Sequence, residues 1–175
     1  MDGSTATVLG TFIGALGGVS GGWLTVLSQS RQQRAEHARW RDEARRDAYS
    51  TYLSTAKQLS AALWKMSDLL GDDGSAPDER QAGFVRAHDA WTEFSSAAAA
   101  VSVVGPRPVA DAADVFRQAM YDWDMIGLAW YEAAGASGRE HLEEFNERFL
   151  AAARAKRQPD KNFQTAARTA LNTET

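Results

Sequence analysis

The pattern of apolar and polar positions divides the chain into stretches with different periods. From Val8 to Leu27 no residue is charged. That run is about as long as a helix crossing the hydrocarbon core of a bilayer, so residues 8–27 are predicted to form a transmembrane helix. Residues 28–48 are crowded with charge and have no continuous apolar stripe. Opposite charges there recur at helical spacing, Glu36 with Arg39, Arg39 with Glu43 and Asp42 with Arg46. Each such pair supports an exposed helix by roughly 0.2–0.5 kcal/mol, and the stretch reads as a helical stalk continuing the span.

From Tyr49 the period becomes that of a packed helix. Tyr49, Tyr52, Ala56, Leu59, Leu63, Met66 and Leu70 fall at alternating intervals of three and four, an a/d seam of the coiled-coil kind. Gly71-Asp72-Asp73-Gly74 ends this helix, and Ser75 or Asp78 is expected to cap the next, with Pro77 in its first turn. A second seam runs Phe84, Ala87, Trp91, Phe94, Ala98, Val101 and stops at Gly105-Pro106. The third begins near Pro108 and runs Val109, Ala112, Phe116, Ala119, Trp123, Ile126, Trp130. The fourth carries Leu142, Phe145, Phe149 and Ala152 or Ala153, and fades at Lys156-Arg157-Gln158-Pro159. Residues 158–175 read as a basic tail in which a short helix near Phe163 to Leu171 competes with disorder.

No segment alternates with the two-residue period of a half-buried strand. The expected fold is therefore all-α: an N-terminal transmembrane helix, a charged helical stalk, and an antiparallel four-helix up-down bundle over residues 49–157.

Glycines sharpen the reading of the span. Gly10, Gly14, Gly18 and Gly22 recur at every fourth position, a glycine-zipper pattern. Small residues at that spacing let transmembrane helices approach closely where lipid gives no hydrophobic drive to association. The same glycines would weaken a buried helix of a soluble protein, each by about 0.8–1 kcal/mol relative to Ala. A cleaved signal peptide would need a positive leader, and no Lys or Arg precedes Val8. Arg31, Arg34, Arg39, Arg41, Arg45 and Arg46 follow the span closely. Positive residues stay on the cytoplasmic side, so residues 1–7 are expected outside and everything after Leu27 inside.

Charge adds a second layer. The net charge of −4 hides an acidic middle, residues 68–147, between two basic flanks. Arg31 and Arg34 on one flank, with Lys156 and Arg157 on the other, are candidate contacts to anionic lipid headgroups. The chain has no Cys, which excludes disulfides and thiolate metal sites.

Candidate chemistry is sparse. His37, His88 and His141 are the histidines. His141 precedes Glu144 by three residues, the reverse of the Glu-x-x-His order that di-metal bundles use, so no metal or cofactor is expected. There is no Gly-x-Ser-x-Gly elbow and no phosphate-binding loop ending in Lys-Ser/Thr, so no catalytic residue is assigned. Nucleic-acid binding by Arg31 to Arg46 is disfavoured by the interleaved Glu36, Asp42 and Glu43 and by the lack of a recognition motif. Trp64 and Tyr131 lie one position off their seams, where they would either pack at the core edge or mark a partner groove.

The expected function is that of a membrane-anchored interaction or scaffold protein, not an enzyme. It would self-associate, or bind another membrane protein, through the glycine face and present the bundle to an unidentified cytoplasmic partner. The alternative is a membrane-active oligomer that forms a pore or lesion gated by the bundle. A metal-binding or enzymatic bundle ranks last.

Overall fold

A computed structural model describes residues 36–135 and 142–172 with their side chains. The helices are α1 (Thr5–Gly71), α2 (Pro77–Val104), α3 (Arg107–Ala136), α4 (Leu142–Ala155) and α5 (Arg157–Asn172). No strand occurs among the described residues. The chain separates into two units, Met1–Glu43 and Ala44–Thr175.

In the first unit the described residues are mostly charged and mostly exposed, and Trp40 among them is 67% accessible. The span expected over 8–27, its four spaced glycines, and Arg31 and Arg34 lie outside the described residues. No helix among the described residues is long and apolar enough to cross a membrane.

The second unit is a helical bundle whose core follows the seam on α1. Tyr49, Tyr52, Ala56, Leu59, Leu63, Met66 and Leu70 are all buried. Tyr52 is the centre of an aromatic cluster. Its ring stacks on Phe94 at 4.9 Å between centroids and meets Phe116 and Phe163 edge-on. Its hydroxyl donates to the Ala113 carbonyl at 2.7 Å, and burial pushes that hydroxyl far above the usual tyrosine range. Along α2 and α3 the ring pairs Phe84–Tyr131, Trp91–Tyr121 and Phe94–Phe116 step forward on one helix and backward on the other, so the two helices run antiparallel.

Two glycines set close helix approaches that the seam pattern did not signal. A Cβ on Gly83 would meet Leu69 Cδ1 at 2.8 Å, where α2 crosses α1. A Cβ on Gly127 would collide with the Met66 methyl and touch Leu63 and Phe149, where α3 meets α1 and α4.

The segment expected as a loosely structured tail is instead α5, packed into the core. Phe163, Ala167 and Ala170 are buried, at the four-and-three spacing of an amphipathic helix. Lys156-Arg157-Gln158-Pro159 resembled a terminus, but Pro159 falls in the first turn of α5, where backbone N–H groups have no helical partner to lose. The helical path continues across the junction, because the Asp160 N–H donates to the Lys156 carbonyl at 3.1 Å. The cap of α2 also differs from expectation. Ala76 is the N-cap, its N–H donating to the Glu79 carboxylate at 3.1 Å, so neither Ser75 nor Asp78 caps the helix. On α3, Ala113 and Met120 join the core beside the expected seam, and on α2 Trp91 is only half-buried.

Candidate functional site

Two places in the bundle draw a charged group partly out of water. The first lies at the junction of α4 and α5. Lys156 is the single residue between these helices, half-buried, while its neighbour Arg157 is exposed. The Lys156 Nζ donates to Ser60 Oγ on α1 at 2.7 Å and stands 5.2 Å from the centroid of the buried Trp123 ring on α3. Ser60 in turn donates to the Ala56 carbonyl at 2.8 Å, the usual way a mid-helix serine satisfies its proton. Burial lowers the Lys156 ammonium from the ordinary lysine range. Nearby Asp160 opposes that shift and Arg157 adds to it.

This arrangement opens onto a cavity of about 250 Å³. Leu53 and Ala56 of α1 and Phe116 of α3 give it an apolar floor. Lys57, Ser60, Lys156, Asp160 and Gln164 give it polar walls. Asp160 is occupied by Gln164, whose Nε2 donates to Asp160 Oδ1 at 2.7 Å. The direct contacts of Lys156 are thus a hydroxyl and a ring face, both neutral, and Asp160 acts on it through charge rather than through a hydrogen bond.

The second place is the outer seam between α2 and α3. Phe84 and Tyr131 stack there at 4.5 Å with nearly parallel planes, and Trp91 leans on Tyr121 at 5.5 Å. Between these pairs lie His88 and Asp124. Burial raises the Asp124 carboxyl to about 6, and the nearby His88 pulls weakly the other way. Tyr121 and Met125 remain 39% and 37% accessible, so the seam keeps an apolar strip in contact with solvent. The helices around it are acidic: Asp89 and Glu93 on α2 and Asp114, Asp122 and Glu132 on α3 are exposed. Arg117 is tied to Asp114 at 2.8 Å.

The residues singled out by sequence fall as follows. Tyr131 belongs to the α2/α3 seam, stacked on Phe84. Trp64, 40% accessible, sits edge-on to Trp123 and Phe149 and borders a cleft with Ser67, Asp68 and Trp130. His37 and His88 are exposed, and His141 lies outside the described residues. Lys156, considered a lipid-headgroup contact together with Arg157, turns inward to Ser60. No group of three or more His, Asp or Glu side chains suited to a metal ion occurs among the described residues. Sequence reading missed the Ser60–Lys156 pair, which joins residues 96 positions apart. The local hint is that Lys156 and Asp160 stand four apart, a helical spacing that spans the point where the sequence predicts a helix end.

Comparison with known proteins finds no family, no curated protein and no solved structure that matches this chain.

Proposed function

We propose that the protein is a membrane-anchored, non-enzymatic interaction module. In this reading residues 8–27 cross the membrane with the short N-terminus outside. Residues 28–48 form the stalk, and the bundle stands in the cytoplasm as an up-and-down four-helix unit whose last arm is α4 with α5. Gly10, Gly14, Gly18 and Gly22 pack against a second span, from another copy or from a different membrane protein, while Arg31, Arg34 and Arg157 lie near anionic headgroups.

The observation that carries the interaction role is the α2/α3 seam. Tyr121, which leans on half-buried Trp91, and Met125, one helical turn further along α3, stay open to solvent, although the same helices bury larger side chains elsewhere. The surrounding α2 and α3 surface carries Asp78, Glu79, Asp89, Glu93, Asp111, Asp114, Asp122, Asp124 and Glu132 against Arg80, Arg86, Arg107 and Arg117. An apolar strip within an acidic surface suits a basic amphipathic helix, which buries its apolar face and meets opposite charge at the rim.

The test uses the full chain in its native membrane, with a photo-crosslinking residue at Met125 in one variant and at Lys57 in another. The reading expects adducts from position 125 to a protein with a basic helix, lost at high salt, and none from position 57. Equal adducts at both positions, or none at 125, overturn the interaction role. Release of the protein from membranes by alkaline carbonate overturns the anchor.

A further inference from the structure

The cavity at the α4/α5 junction has no part in the α2/α3 interaction surface and needs its own account. An ammonium has three N–H donors, and Ser60 takes one from Lys156. The ring of Trp123 gives that ammonium a polarisable face at 5.2 Å but no countercharge. The Asp160 carboxylate accepts a hydrogen bond from Gln164 and acts on the ammonium through its charge. Asp160 offsets the desolvation of the ammonium only in part, since burial remains the larger effect, and two of the three N–H donors have no hydrogen-bond acceptor on the protein. Lys57 on the cavity wall adds to the positive potential. Leu53, Ala56 and Phe116 offer an apolar surface below.

We propose that this cavity binds a small monocarboxylate, with its carboxylate on Lys156 and its hydrocarbon body against Leu53, Ala56 and Phe116. The volume of about 250 Å³ is that of about eight water molecules at the roughly 30 Å³ each that liquid water occupies, room for a short-chain acid such as hexanoate. Asp160 sets the charge selectivity. Its carboxylate repels a dianion, so a dicarboxylate or phosphate is disfavoured, and a single negative charge beside Lys156 is accepted. Because the site joins α1, α3 and the α4/α5 junction, an occupant would tie the last two helices to the first.

The test is direct binding of hexanoate to the full chain in nanodiscs, followed by ligand-observed NMR and calorimetry, with hexanol, hexylamine and hexanedioate as comparisons. Hexanoate is expected to bind at least about tenfold more tightly than any of the three. Lys156→Met should weaken hexanoate by about tenfold or more while leaving hexanol unchanged. Asp160→Asn should strengthen hexanoate and admit hexanedioate. The Asp160 variant keeps the test decisive should Lys156→Met fail to fold. Equal binding of hexanoate and hexanol, undiminished binding to the Lys156 variant, or no hexanoate binding at millimolar concentration overturns the proposal.

Discussion

Lys156 and Asp124 are both drawn part-way into the bundle, and the protein treats them differently. Lys156 reaches across from the α4/α5 junction to a hydroxyl on α1 and a ring on α3. Its charge is therefore held by geometry even where water is scarce. Asp124 sits on the α2/α3 seam with no hydrogen bond to its carboxylate among the described residues, and only His88 nearby shifts it back toward the ionised form. The contrast shows that partial burial of charge has no single meaning in this fold. One group has directional partners and joins elements distant in sequence. The other bears a desolvation cost at neutral pH and lies beside a surface that stays open.

The largest effect should come from removing the ring that faces Lys156. Trp123 is fully buried and contacts Trp64 and Phe149. Trp123→Ala should lower stability by about 3–5 kcal/mol, read by denaturant unfolding. If Trp91→Ala, at a half-buried position of the other seam, costs as much, then the two seams are not packed differently and the comparison fails.

Asp124 tests the other side. Its folded carboxyl titrates at about 6, above the ordinary value of 3.8. Between those values the native state binds more protons than the unfolded state, so stability falls as pH rises through that window and the loss is complete above about 6. Asp124→Asn removes the charge. It should stabilise the bundle by about 1–2 kcal/mol at pH 7.5, once screening by solvent at the partly open site is allowed for. The gain should vanish below about pH 4. A variant that is destabilised at pH 7.5, or whose effect does not change with pH, would show that the carboxylate has a partner at the seam.

The smallest effect sharpens the Lys156 side. Ser60→Ala deletes a neutral acceptor from a half-buried ammonium, and water can partly replace it. A loss of about 1 kcal/mol is expected, measured as a shift in melting midpoint. A shift no larger than that of Ser54→Ala, at an exposed position on the same helix, would mean the 2.7 Å contact contributes nothing.

How far the fold was legible in the sequence depended on whether the signal was local. The α1 seam from Tyr49 to Leu70 was read in full, because its period of three and four is unbroken by Pro or Gly over those residues. Phe163, Ala167 and Ala170 have the same period, but the cations and Pro159 just before them look like a terminus when read alone. Placing Pro159 in a first turn required knowing that the helical path resumes at Arg157. The shift of Trp91 from core to half-exposed edge follows from helix rotation, which an a/d pattern fixes only to within a residue. Ser60 with Lys156, and His88 with Asp124, are tertiary pairings to which no spacing rule applies.

One consequence of α5 concerns the order in which the core can close. Phe163 completes the ring cluster around Tyr49 and Tyr52, more than a hundred residues earlier in the chain. The α2/α3 hairpin turns within the short Gly105-Pro106 link and can pair as soon as both helices exist, whereas closure between α1 and α5 spans a far longer loop and bears its entropy. Synthesis runs in the same direction, so Tyr49 and Tyr52 emerge early and wait for a partner made near the end. During that interval the centre of the future core is an open aromatic surface, and the helix that seals it is the one whose sequence least resembles a structural element.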